Sequence, residues 1–264
     1  MRFLWRLLLF NFVPAIILSN MHYKKSPIVE ALIDIRTEAR PDLTFEGLNS
    51  IAKSLVDEYP RVETRYLSEG KFSFGTESTA TAEQKPFAIM FFSSDNKQIF
   101  QARKDGITFS RLAPYQTWSM LEEETKRLWQ IYRDFTHTIK ITRLATRYIN
   151  QFVFPGTIIE PEEYLKTFAQ LSRDLPKELR NIGPFSLRLP IPQSDLEGML
   201  VINQALGSTA MPGTVPIVLD LDLYIENLAI TEDKTLWDKL KLLRERKNLY
   251  FEACITDRTR ELIS

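Results

Sequence analysis

The chain has 264 residues, of which 44% are hydrophobic and 26% charged, a composition typical of a globular protein with a substantial core. Lysine plus arginine and aspartate plus glutamate both number 34, so no net charge attracts nucleic acid, and we expect no nucleic-acid partner. The single cysteine, Cys254, excludes an intramolecular disulfide, and with only His22 and His137 as histidines the usual zinc clusters and serine-hydrolase triads lack candidates.

The first twenty residues form an apolar segment with two arginines near its start. Arg2 and Arg6 precede an apolar run at residues 7–18, which is shorter than the roughly 20 apolar residues that a spanning helix needs. No small-residue cleavage site follows the run. We interpret residues 1–20 as an extension ahead of a start at Met21; an inner-membrane anchor or uncleaved signal, and a cleaved export signal, are the alternatives. Membrane contact is expected only through residues 1–20, and the predicted location is cytoplasmic.

The first half of the body, residues 21–138, has the predicted order β-α-β-β-β-β-α, because period-2 and period-3.6 apolar patterns alternate along it. The predicted elements are a strand (28–36), a helix capped by Asp42 and ended by Pro60, a strand with a turn at residues 69–70 (61–74), a polar loop (76–85), a hairpin (86–92 and 97–103), a strand after the Asp105-Gly106 turn (107–111) and a long helix (118–135).

The second half, residues 139–264, repeats this order. Its predicted elements are a long strand (139–154), a helix with proline in its first turn (161–171), a proline-containing excursion (175–184), three strands (185–191, 198–206 and 216–226) and a closing helix (235–253).

These elements predict an α+β protein made of two β-α-β-sheet-α halves, with three or four strands following the first helix of each half. The halves would form one curved antiparallel sheet that two long helices cover on one side. The final helix of each half begins with similar text, Thr117-Trp118 in one and Leu236-Trp237 in the other. Internal duplication is therefore predicted from element order and from this short match.

Polar side chains recur on one face of three predicted strands. In residues 216–226, Asp220 and Asp222 point away from the apolar face, and Arg143 and Arg147 share one side of the long strand. The first strand carries Glu30, Asp34 and Arg36 on one face. We predict a ligand site where these strands meet, formed by Glu30, Arg36, Arg143, Arg147, Asp220 and Asp222.

The two residue types of this predicted site suggest different chemistry. The guanidinium groups of Arg143 and Arg147 match a carboxylate or phosphate. Asp220 and Asp222 would accept hydrogen bonds from hydroxyls or amines, hold a divalent cation, or exchange protons as a pair. The alternative is that cross-strand pairs of arginine and aspartate only solvate an exposed sheet face.

Five segments fall in order along the body: YKKSPIVEALIDIR, QIFQARKDGITFSRLAPYQTW, ITRLATRYIN, PIVLDLDLYIEN and ACITDRTREL. Together they resemble a family of uncharacterised, sporadically distributed bacterial proteins. The resemblance extends from about residue 23 to residue 262, and it implies a single α+β protein encoded by an accessory gene, with no established activity. Members of that family begin shortly before the first segment, as a chain starting at Met21 would.

Three functions are compatible with these patterns. The first is a non-catalytic module that binds a protein or a small polar ligand on the open sheet face. The second is an enzyme that uses aspartate, glutamate and arginine on that face, with or without Mg²⁺. The third is a membrane-tethered form of the binding module. No glycine-rich phosphate loop is present, so no cofactor and no resident metal are predicted.

Overall fold

A computed structural model describes residues 23–264, except residues 41, 74–78, 139, 157–158, 173, 180–182 and 208–210. The interpretation of residues 1–20, and the choice of Met21 as a start, lie outside these described residues. Within them, no helix combines the length and apolar character needed to cross a membrane.

The described strands form one open antiparallel sheet, which together with its helices confirms the α+β class. The strand order is β2-β3-β4-β5-β1-β6-β9-β8-β7, so the first strands of the two predicted halves, β1 and β6, pair at the centre. The strands are β1 (Ile28–Thr37), β2 (Arg61–Ser73), β3 (Thr79–Phe92), β4 (Gln98–Arg103), β5 (Gly106–Leu112), β6 (Ile141–Pro155), β7 (Ser186–Gln193), β8 (Gly198–Leu206) and β9 (Thr214–Ile225).

The helices pack against the sheet through apolar stripes. In the described chain they are α1 (Phe45–Asn49), α2 (Ala52–Leu55), α3 (Trp118–Thr136), α4 (Asp233–Cys254) and α5 (Asp257–Ile263). Helix α3 lies against β1 and β5, and α4 lies against β6 and β9. The predicted stripe of α3 is confirmed from Trp118 to Tyr132, because its members are buried in the same hydrophobic core as the inward side chains of β1.

The predicted helix that Asp42 would cap is shorter and begins later. Thr44 is the residue that caps α1, and its Oγ1 accepts a hydrogen bond from the backbone N–H of Gly47 at 3.0 Å. Asp42 instead forms an ion pair with Arg40, so its carboxylate is engaged away from the helix terminus. The segment forms two short helices, α1 and α2, whose Leu48 and Leu55 reach the core.

The predicted helix at residues 161–171 is wrong. Only Pro161–Glu163 is helical, as a single 3₁₀ turn. The next residues bond to the link between α4 and α5: the Lys166 N–H donates to the Cys254 carbonyl at 2.8 Å, and the Thr256 N–H donates to the Tyr164 carbonyl at 3.0 Å. Tertiary hydrogen bonds therefore replace those of a regular helix, which sequence periodicity does not reveal.

The predicted turn at residues 69–70 is also wrong, and so is the predicted loop over residues 79–85; residues 76–78 of that loop lie outside the described part of the chain. Strand β2 continues through this point, where Glu69 pairs with Glu83 and Gly70 pairs with Ala82 of β3. The polar, small residues of this segment resemble a loop in composition, but cross-strand pairing extends both strands into a long hairpin. The Asp105-Gly106 hairpin is confirmed, with Gly106 at a φ of 134°.

Candidate functional site

Alternation along β1 assigns its side chains to two faces of the sheet: among the described residues, one face packs against helices and the other, the open face, carries a groove. Ala31, Ile33 and Ile35 are fully buried on the helix side. Glu30, Leu32, Asp34 and Arg36 lie on the other side, where they line a groove. The face assignment predicted from the sequence is therefore confirmed for this strand.

The groove crosses the open face of the sheet and has a volume of about 560 Å³. Most of its charged side chains come from the central strands β1, β6 and β9, and most of its apolar side chains come from β2, β3 and β4. The charged side chains are those of Glu30, Asp34, Arg36, Arg65, Arg103, Arg143, Arg147 and Asp222. Apolar and aromatic residues at the groove are Leu32, Tyr66, Leu67, Phe87, Met90 and Ile99.

Asp34 is the centre of the charged part. Its carboxylate accepts a hydrogen bond from Arg103 Nη2 at 2.8 Å and another from Arg143 Nη1 at 2.7 Å. Arg36 Nε donates to it at 3.2 Å and Thr108 Oγ1 at 2.7 Å. Three guanidinium groups from β1, β4 and β6 are thus tied to one side chain, which fixes the middle of the sheet.

Burial and charge act in opposite directions on Asp34. Burial alone would raise its pKa, but the positive charges of Arg103, Arg36 and Arg143, together with the Thr108 hydrogen bond, outweigh it and hold the pKa below its ordinary value. Asp34 is therefore ionised at neutral pH. The arrangement is a buried ion-pair network, and it makes these three arginines poor receptors for an external anion.

Arg147 is held in a similar way one strand further along. Its Nε and Nη2 donate to the two carboxylate oxygens of Asp220 at 2.9 and 2.8 Å, a bidentate pair. Asn203 Nδ2 also donates to Asp220 at 2.9 Å, and only 4% of Asp220 is exposed. The hydrogen-bonding capacity of Asp220 is thus largely used within the protein.

Asp222 differs from Asp220 although both lie on the same face of β9. Asp222 lines the groove, and it forms no hydrogen bond or ion pair with any residue that the structure describes. Burial raises its pKa above the ordinary aspartate value, while the nearby charges of Arg143 and Arg147 oppose that rise. Glu30 on β1 is a second groove carboxylate without a partner in the described residues.

Four of the five groove arginines are paired with carboxylates of the protein. Arg36 and Arg103 also bond to Asp105, and Arg143 lies 3.3 Å from Glu226. With Asp105, Asp220 and Glu226 counted, six carboxylates surround the five groove arginines. Arg65 is the exception, since its one described hydrogen bond, at 3.5 Å, is to the neutral Gln101. The unpaired carboxylates are Asp222 and Glu30.

The structure brings five of the six predicted site residues to the groove lining and places the sixth behind it. The five are Glu30, Arg36, Arg143, Arg147 and Asp222. Asp220 lies beneath Arg147 and holds it in place. The prediction omitted Asp34 from the final set although strand alternation had put it on the correct face. It also missed Arg103 and Arg65, because only the strand order shows that β4 and β2 extend the same face.

Neither a metal site among the described residues nor a match to a known protein assigns a function to the groove. Among the described residues, no three histidine, cysteine, aspartate or glutamate side chains lie close enough together to hold a metal ion. A scan against protein-family models and a search of curated proteins both return no match to the chain.

Proposed function

We propose that the chain is a binding module whose open sheet face receives a small polar ligand or a protein segment that presents a cationic group. The observation that carries this proposal is the half-buried Asp222 carboxylate, which lines the groove without a partner among the described residues. An unpaired, partly desolvated carboxylate is costly for the protein alone, and an ammonium or guanidinium group of a ligand would satisfy it. Glu30 would be the second acceptor.

The ligand should also carry an apolar body. The groove continues from its charged part to side chains that include Leu32, Met90 and Phe87, all partly exposed. A site with an apolar wall and a few polar groups that fix orientation is the usual design for small-molecule recognition. The arginines on β1, β4 and β6 would not be the main partners of the ligand, since they already bind carboxylates of the protein.

A matched pair of probes tests whether the groove prefers a cationic or an anionic ligand. The full chain is titrated with 2-phenylethylammonium and with phenylacetate, which share an aromatic body and carry opposite charges, while binding is followed by calorimetry. We expect the ammonium compound to bind at least about tenfold more tightly. Tighter binding of phenylacetate would contradict a cation site and would favour the arginines as anion receptors.

An enzyme is the second candidate, and one observation favours it. Groups with shifted pKa values in a groove are candidates for proton transfer, and Asp222 has a raised pKa beside two guanidinium groups. Asp220, which holds Arg147 through two hydrogen bonds, would be a positioning residue. If Mg²⁺ took part, addition of Mg²⁺ should raise the melting temperature of the wild type and should not raise that of Asp222→Asn.

We also propose that the two halves arose by internal duplication. Each half begins at the sheet centre, with β1 or β6, and the strand preceding its long helix, β5 or β9, lies directly beside it. The long helices exchange equivalent contacts: the Lys126 ammonium lies over the Trp237 ring at 5.2 Å, and the Arg244 guanidinium lies over the Trp118 ring at 5.5 Å. These are the two tryptophans of the similar text at the start of each long helix.

The proposed setting is an accessory protein of the cytoplasm that belongs to the bacterial family it resembles. Support comes from the five segments, which lie on β1, on the β4–β5 hairpin, on β6, on β9 and at the α4–α5 junction. Fractionation of the native protein followed by intact mass tests the location. A chain recovered from the membrane fraction with residues 1–20 attached would favour the tethered alternative.

A further inference from the structure

The two edges of the sheet differ in whether they can accept another strand. Strand β7 forms one edge and carries Pro190 and Pro192, which have no N–H to offer. Strand β2 forms the other edge over 13 residues and contains no proline. Proline is a common protection of sheet edges, so β2 is the edge that remains open to pairing.

Among the described residues, no third strand pairs with the outer part of the β2–β3 hairpin. Strand β3 pairs with β4 only from Ile89 to Phe92, whereas β2 and β3 remain paired as far as Ser73 and Thr79. The exposed residues 61–70 include Val62, Tyr66 and Leu67. A two-stranded ribbon is only marginally stable in water, and a third strand would stabilise it.

We propose that β2 pairs antiparallel with β2 of a second copy of this chain, which joins two sheets across a two-fold axis. For an axis perpendicular to the sheet, alternation of side chains requires that one residue lies opposite its own copy. Full overlap of the strand, Arg61–Ser73, puts Leu67 at that position. This is an interface between identical chains at the edge of the sheet, and it adjoins the groove, which Arg65 and Leu67 also line.

The charges of β2 match this register. Arg65 lies opposite Glu69 of the second copy, and the symmetric pair repeats the contact. Neither Arg65 nor Glu69 has an ion-pair partner among the described residues of its own chain. Opposite charges facing each other across antiparallel strands stabilise the pairing.

Neither neighbouring register keeps Arg65 opposite Glu69 of the second copy. A two-fold axis at Tyr66 would set Glu63 against Glu69, and like charges directly opposite each other destabilise strand pairing. An axis at Ser68 would set Glu69 against Leu67, so the opposite-charge contact would be lost. The pattern therefore selects the full-overlap register over both adjacent ones.

Charge reversal tests the pairing. Sedimentation of the full chain should show a monomer–dimer equilibrium, and Glu69→Arg should weaken dimerisation at least about tenfold because it creates two like-charge contacts. Arg65→Glu combined with Glu69→Arg should restore the dimer, while Lys85→Glu on the inner strand should change little. A monomeric wild type, or a dimer that ignores Glu69→Arg while circular dichroism shows a folded chain, would overturn the proposal.

Cross-linking tests the register. Cys254 is buried, so Leu67→Cys supplies one exposed thiol at the axis, and Val62→Cys supplies one far from it on the same strand. A short bis-maleimide should give covalent dimers of Leu67→Cys and at least about tenfold fewer of Val62→Cys. Equal yields, or no cross-linking at position 67, would show that the strands do not pair about Leu67.

Discussion

The two faces of the sheet differ in the partners that surround a buried charged side chain, as a comparison of Asp34 with Lys247 shows. Asp34 on the open face is 7% exposed and Lys247, between α4 and the sheet, is 6% exposed. Asp34 is surrounded by three guanidinium groups, which hold its pKa low. Lys247 has no ion pair among the described residues, and its ammonium lies 3.4 Å from the centre of the Tyr148 ring.

The pKa of Lys247 shows the consequence of that difference. Burial, and after it the charge of Arg244, lower this pKa to about 7, and Glu252 opposes them only in part. At equal burial, Asp34 on the open face stays charged because guanidinium groups surround it. Lys247 on the helix-covered face lacks such partners in the described chain, and its pKa is lowered instead. The charged residues of the open face thus form an ion-pair network, whereas burial of the isolated Lys247 side chain destabilises the folded state.

The largest effect is expected from Asp34→Asn, which breaks the network. Loss of the carboxylate leaves Arg103, which is 1% exposed, buried without its main counter-charge. Removal of one member of a buried ion pair costs about 3–5 kcal/mol, which urea unfolding measures. Glu226→Gln removes an exposed partner of Arg143 and should cost less than about 1 kcal/mol. Equal losses in the two variants would show that the network is not central.

The same network gives a pH dependence. Because the folded pKa of Asp34 is lowered, its stabilising effect is complete above the unfolded value of about 3.9 and is lost as pH falls through the lower folded value. Wild-type stability should therefore fall below about pH 4 more steeply than that of Asp34→Asn. Parallel curves for the two proteins would contradict the lowered pKa.

Lys247→Met should act in the opposite direction and stabilise the protein. The folded pKa of about 7 lies below the unfolded value of about 10.4, so the wild type gains stability as pH rises between the two. The advantage of the variant should be on the order of a few kcal/mol at pH 7 and should shrink toward pH 10. The exposed Lys241→Met is the matched control. A constant advantage across this range would exclude titration of Lys247 as its cause.

Arg147→Lys is expected to have a smaller effect. Lysine cannot reproduce the bidentate contact with Asp220, although Asn203 would still bond to that carboxylate. Because the Arg147 side chain is 41% exposed, solvent screens the pair and the loss should be about 1 kcal/mol. Arg188→Lys, on an exposed position of β7, should change nothing measurable. A loss as large as that of Asp34→Asn would mean that the two ion-pair sets are equivalent.

The sequence predicted which residues share a face, and it predicted the pairing of strands less well. Strict alternation in β9 assigned Asp220 and Asp222 correctly, because a strand has one fixed period. Nothing in the sequence distinguishes these two aspartates, since only the register with β6 and β8 gives Asp220 its partners Arg147 and Asn203. The burial of Arg103 depends on long-range strand pairing in the same way. The non-helical conformation after Pro161 likewise depends on hydrogen bonds to residues far away in the sequence.

Binding of 2-phenylethylammonium to Asp222→Asn tests the central claim most directly. The exposed aspartate of α4, in Asp238→Asn, serves as the matched control on the other side of the sheet. If the unpaired groove carboxylate receives the cation, calorimetry should show at least about a tenfold loss of affinity for Asp222→Asn and none for Asp238→Asn. Unchanged affinity in Asp222→Asn, with the fold intact by circular dichroism, would contradict the account.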